Sequence, residues 1–290
     1  MQAVAAWLVA RPLNAVLALA MTISLGFLSG VVLVLLVLHK GVQKAAVDMA
    51  FATVLLAAIG FFVKAPLGPE LASAASIWLP ALLLGGILRS TRSLTLTLQL
   101  SVIVMVAVII GLYLYIDDPI EFWRPTLMFL VEVWRDLGWT DRATALEQNM
   151  GSLVGQMPMA VALTSWGTTT VSFILGYLLY RQIPGETARF GRFRDLTLGK
   201  VIAITMAIAS VAALLSGAVW LQSIAFALFL VFWLQGLAVV HWLYGEGRLP
   251  AFGVIAVYVL MPFLNIILLI ALAVVGYIDT WFRLRRVRVG

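Results

Sequence analysis

Apolar residues in this chain do not alternate with polar ones, and over most of its length they do not gather into a stripe. Runs such as "LLAAIGFF" (55–62) and "IILLIALAVVGY" (266–277) are apolar on every face. A helix at the surface of a water-soluble protein keeps a polar face, whereas a segment surrounded by lipid has none to keep. A bilayer core about 30 Å thick takes roughly 20 apolar residues per helix, and the chain supplies runs of that order between short charged breaks. A transmembrane barrel would need alternating segments of about ten residues, which are absent. The pattern predicts helices near 2–24, 26–38, 46–63, 75–90, 94–116, 156–180, 200–219, 222–244 and 250–282. The fold class is therefore all-α, a polytopic transmembrane helix bundle of about 8–10 membrane segments, some short or broken.

Two stretches are expected to break. The 33 residues of 250–282 would measure about 50 Å as one helix, too long for one span, and Pro262 with Asn265 marks a division into two short segments. "SLGFLSG", Ser24 to Gly30, divides the first hydrophobic stretch in the same way. One segment departs from the apolar pattern. In "RPTLMFLVEVWRDLGW" (124–139), Leu127, Leu130, Trp134 and Leu137 recur on one face and Pro125 suits a first helical turn, so an amphipathic helix is expected in the loop.

Charge adds orientation. Hydrophobic residues make up 63% of the 290 and charged ones 11%, so each charged cluster carries weight. Lys40 with Lys44, Arg89 with Arg92, the 181–200 loop, and the 283–290 tail are basic, which places them in the cytoplasm. The 117–154 loop holds seven acids against three arginines and is expected on the outer face. Parity then requires both termini inside. The start, "MQAVAAWLVARPL", lacks the basic opening of a cleaved signal peptide, so the N-terminus is expected to be retained. The net charge of +6 sits in loops, where it meets lipid headgroups, and nucleic acid is not an expected partner. No Gly/Ser linker appears, so 1–290 reads as one integral membrane domain.

Candidate chemistry resides in the few polar residues inside spans. Thr164 and Thr168 share a helical face with Ser172, and such hydroxyls either bond neighbouring backbone or line a cavity. Gln235 is deep in a span and needs partners, for which Asn265 or the Thr164–Thr168 face stand ready. These four, with Trp233, are the candidate solute-binding residues. His241 falls at the membrane edge beside Trp242 and Tyr244. Asp279 with Arg283, and Asp48 with Lys44, are four apart and read as ion pairs. Gly26 with Gly30, Gly151 with Gly155, and the Ala203, Ala207, Ser210 and Gly217 series are spaced for close helix packing. There is no cysteine, zinc-hydrolase spacing, G-x-S-x-G elbow or phosphate loop. An enzyme is not expected, nor a metal or cofactor.

The order of features from "LVFWLQGLAVVHWLYGEGRLPAFGVIAVYVLMP" to "VVGYIDTWFRLRR" resembles the C-terminal part of the YybS-like family of bacterial multi-pass membrane proteins. The resemblance lies in Gln235-Gly236, the His241-Trp242 pair, Pro250, and the ending Gly276, Asp279, Trp281, Phe282 and Arg285. "LVLHKG" near residue 36 resembles that family's short first segment. The resemblance implies a distant similarity to the small membrane subunits (S-components) of energy-coupling-factor transporters, which bind solutes and work with an ATPase module. It places the chain in a bacterial inner membrane, with membrane lipids, a small-molecule solute and a membrane or ATPase-module protein as partners. Solute binding or transport is the leading expectation. The alternative is a membrane scaffold or assembly factor acting through the basic loop and tail.

Overall fold

The computed structural model describes residues 1–64, 66–185 and 190–285, with Asn265 by its backbone alone. In chain order the helices are α1 (Gln2–Ala10), α2 (Pro12–Thr22), α3 (Phe27–Lys40), α4 (Val42–Val63), α5 (Leu67–Thr91), α6 (Leu94–Tyr115) and α7 (Pro119–Asp136). They continue with α8 (Thr140–Gln148), α9 (Met150–Val154), α10 (Met157–Tyr180), α11 (Gly199–Ser216), α12 (Val219–Leu230), α13 (Phe232–Gly245) and α14 (Ala251–Phe282). No strand occurs among the described residues. Among the described residues six helical segments, α12 with α13 counted as one, are long and apolar enough to cross a membrane, or seven if the bent α1–α2 pair is one span. The chain packs as two compact units, 1–101 with 165–192, and 102–164 with 193–290. Two of the boundaries fall inside helices α6 and α10, which is why no linker composition marks them.

In the first unit α3 is the core. Every residue from Ser29 to Leu38 is buried, including the hydroxyl of Ser29, which donates to Leu19 O and accepts from Trp78 Nε1. Arg89 of α5 donates to Leu38 O at 2.7 Å and so caps the free carbonyls at the C-terminal end of α3. Gly41, at φ +92°, then turns the chain into α4. α10 crosses α3 so closely that a Cβ on Gly176 would lie 2.8 Å from Val31 O and 2.7 Å from Val34 Cβ. The break expected near Ser24 is present as a short 3₁₀ turn, Ile23–Leu25, ended by Gly26 at φ +54°. A second break precedes it. Arg11 is extended because Pro12 follows, and the chain bends by 114° there.

In the second unit α12 and α13 form the most enclosed span, with 78% of its most apolar window buried against 17% for α4. α14 lies along α13. The expected division at Pro262 and Asn265 does not occur: α14 runs unbroken for 32 residues with Pro262 inside. Proline removes one backbone hydrogen bond, and a long helix in lipid tolerates that locally because its remaining backbone bonds have no water to turn to. The amphipathic helix α7 begins at Pro119, earlier than expected, because Asp118 caps it by accepting from Ile120 N and Glu121 N. Pro125 is thus inside α7. Trp123, Leu127 and Val131 form its buried face, while Leu137, expected on that face, is 58% exposed. α8 and α9 fold over that face, adding Ala143, Leu146 and Val154 to a small hydrophobic core that includes Ile116.

Gly176→Ala should lower thermal stability by about 1–3 kcal/mol, since backbone stands where its methyl would go. Gly111→Ala, with nothing within 4 Å, should be neutral or slightly stabilising. Unfolding midpoints of the two detergent-solubilised variants against wild type check this pair.

Candidate functional site

The contact of α13 with α14 is made by glycine. A Cβ on Gly236 would lie 1.9 Å from Leu272 O, and one on Gly276 would lie 2.1 Å from Phe232 O and 2.7 Å from Gly236 N. Backbone therefore touches backbone, a packing that only a missing side chain permits. That approach sets the neighbouring positions, Gln235 on α13 with Asp279 and Thr280 on α14, within hydrogen-bond reach.

Gln235 is fully buried and uses both ends of its amide. Its Nε2 donates to Asp279 Oδ2 at 2.7 Å and Thr280 Oγ1 at 3.1 Å, while its Oε1 accepts from Leu198 N at 2.7 Å. Asp279 Oδ2 also accepts from Arg285 Nε at 3.0 Å and Nη2 at 2.6 Å. Arg285 in turn donates through Nη1 to Arg194 O at 2.8 Å. One guanidinium thus neutralises a buried carboxylate and ties the chain end to the short turn Phe193–Asp195 before α11. Asp279 Oδ1 is buried without a partner among the described residues.

This network floors a cavity of about 490 Å³, inside the usual range for small-molecule sites. Arg194, Lys200, Arg283 and Arg285 line it against two acids, Asp195 and Asp279, with Trp242 and Thr280 between them. Asp195 is 4.0 Å from Arg194, too far for a strong pair. Lys200 lies near the Trp281 ring, 6.0 Å from its centre, and Arg283 has no hydrogen-bond or ion-pair partner among the described residues. No group of three or more potential metal ligands occurs among the described residues.

The residues singled out in the sequence are not brought together as a set. None of the hydrogen bonds of Gln235 reaches Thr164 or Thr168, both exposed on α10. Trp233 is half-buried, away from the residues lining this cavity, and the side chain of Asn265 lies outside the described residues. Two ion pairs are corrected. Asp279 pairs with Arg285 rather than Arg283, because the helix stops at Phe282 and Arg283 turns left-handed at φ 49°, swinging Arg285 back. Asp48 pairs at 3.0 Å with Lys40 rather than Lys44, because the turn at Gly41 returns the end of α3 to α4. His241 bonds Tyr258 Oη at 2.8 Å and meets Phe193 edge-on, and is not among the residues lining the cavity. Arg194 and Lys200 were legible only as orientation charges, and Arg285 sits six residues from its partner, a spacing no helical rule flags. Arg286 and Arg288 of the tail, and 186–189 of the basic loop, lie outside the described residues.

Apolar helices with a buried polar junction at one end define a polytopic helical membrane protein. A family model described as "Predicted membrane protein (DUF2232)" matches residues 136–280, half of the chain, and the chain belongs to that family. No curated protein and no solved structure matches it. The family match contains Gln235, Gly236, Gly276, Asp279 and Thr280, while Arg283 and Arg285 fall just beyond it.

Arg285→Ala should destabilise the protein by about 3–5 kcal/mol, because it leaves the Asp279 carboxylate buried and uncompensated. Arg283→Ala should change stability by less than about 0.5 kcal/mol. Thermal unfolding separates the two. Gly276→Ala is expected to match or exceed the Arg285→Ala loss, since it forces α13 and α14 apart along the whole contact.

Proposed function

We propose that this is a bacterial inner-membrane protein that binds a small solute in the cavity bounded by Arg194, Lys200, Trp242 and Asp279, acting as a carrier or as the solute-binding subunit of one. The observation that carries this reading is a cavity of about 490 Å³ with a built floor: every donor of the Gln235 amide and of Arg285 that contacts Asp279 holds that carboxylate in place at its edge. A buried ion-pair network is costly to maintain, and a stable bundle does not need one. The basic character of the 181–200 loop and of the 283–290 tail supports a cytoplasmic orientation for this end of the molecule and for the C-terminus. With α14 a single helix, that orientation rests on charge rather than on counting spans.

The YybS-like resemblance, and through it the likeness to energy-coupling-factor S-components, supports the same reading, because Gln235, Gly236, Gly276 and Asp279 are the residues it shares with the junction under the cavity. On this reading the protein carries out no covalent chemistry, and an ATPase module is the expected kind of partner. This reading puts the binding residues in the cavity lining instead of at Gln235, Asn265, Thr164, Thr168 and Trp233. Gln235 supports the site from beneath.

Native mass spectrometry of gently extracted protein tests the proposal. Wild type should retain a small molecule that Lys200→Trp, which fills the cavity, loses. Equal occupancy in both proteins would overturn the cavity as the site. A stoichiometric protein partner with no small molecule would replace the proposal with the scaffold reading.

A further inference from the structure

Positive charge in the cavity exceeds what the protein itself uses. Arg285 is consumed by Asp279, but Arg194, Lys200 and Arg283 face one weakly engaged acid, Asp195. The cavity also takes in Gly199 and Lys200, the first two residues of the 18-residue α11. Its N-cap residue, Leu198, has no polar side chain to cap the helix, and the positive end of the helix dipole lies at the cavity wall. Gly199 has φ +81°, and a glycine there lets the chain enter the helix without a side chain in the way. Thr197 and Thr280 complete the lining, the Thr280 hydroxyl being spent on Gly276 O.

Cationic donors on three separate segments, the turn at Arg194, the start of α11 at Lys200 and Arg283 beyond α14, suit a tetrahedral anion better than a planar one. A carboxylate offers two acceptor oxygens in one plane, which a single guanidinium fork can match, whereas a phosphate group offers three or more acceptor oxygens in space. Trp242 and Trp281 add apolar surface beside the charges, enough for a carbon skeleton attached to the phosphate. We infer that this cavity is a phosphate site, and that its ligand is an organic phosphate: either a water-soluble phosphate ester or the headgroup of a phospholipid. The inference rests on the reading of the cavity as a solute site and names the class of solute. Arg283, whose side chain has no hydrogen-bond or ion-pair partner among the described residues, and Lys200, whose one described contact is the Trp281 ring, are the recognition residues. Arg194 orders the wall through its carbonyl contact with Arg285.

The test uses full-length protein in nanodiscs of phosphatidylcholine alone, with tryptophan fluorescence read during titration with glycerol 3-phosphate and with inorganic phosphate. Parallel nanodiscs containing phosphatidylglycerol are analysed by native mass spectrometry for retained lipid. The inference expects saturable phosphate binding that weakens steeply with salt, and a loss of at least about tenfold for each of Lys200→Ala and Arg283→Ala at unchanged melting temperature. Binding of glycerol 3-phosphate assigns the soluble source. Selective retention of phosphatidylglycerol, lost in Lys200→Ala/Arg283→Ala, assigns the lipid source. If neither probe binds, or if both bind the double variant as they bind wild type, the inference is overturned. In that case a phosphate-free molecule displaced by Lys200→Trp would leave the solute-site reading standing, and no displacement would remove both.

Discussion

Two glycines on neighbouring helices, Gly236 and Gly276, hold the second unit to its geometry. Their backbones are in direct contact, so the α13–α14 separation is set by main chain rather than by side-chain volume. Lipid tails are as apolar as leucine, and helices gain little by hiding leucine from them; close contact and interhelical hydrogen bonds have to supply association instead. Here one produces the other. Because the helices touch at Gly236 and Gly276, Gln235 reaches Asp279 and Thr280 one position and one turn away, and the amide can serve two helices and the N–H of Leu198 together.

The first unit solves the same problem with different residues. Ser29 bonds Leu19 O and Trp78, and Arg89 reaches the last carbonyls of α3. Gly176 lets α10 approach the backbone of α3. In each unit a cationic side chain closes the end of a helix assembly, Arg89 by capping carbonyls and Arg285 by neutralising a carboxylate. The difference is what remains afterwards. Around Arg89 little is left unmatched, whereas around Arg285 three further cations line open space.

The helical membrane bundle was legible from apolar run length alone, and the amphipathic helix from its repeat, because both depend on local spacing. The breaks were half legible. Gly26 announces one, but the sharper bend at Arg11 comes from the residue before a proline, and Pro262 inside a long helix does not break it. Gln235 and Asp279 were visible as costly polar residues, yet their pairing was not. Helical periodicity relates residues on one helix, and this contact joins residues 44 apart. The same limit hid the role of Arg285, which reaches Asp279 only because the chain turns left-handed just beyond the helix. Gly276 and Thr280 are four apart and small, a signal of close packing that could have pointed to the junction.

The small core beneath α7 also has a bearing on how the chain is made. Its members include Ile116, at the close of α6, and Val154, just ahead of α10, with Met157 of α10 packed against them. These residues flank the whole segment in the chain, so the helices between them cannot complete their core from one side. As synthesis proceeds from the N-terminus, α7 emerges with Trp123, Leu127 and Val131 uncovered, and their cover is complete only when α8, α9 and the start of α10 have followed. The core therefore closes only when the end of α6 and the start of α10 have both been delivered.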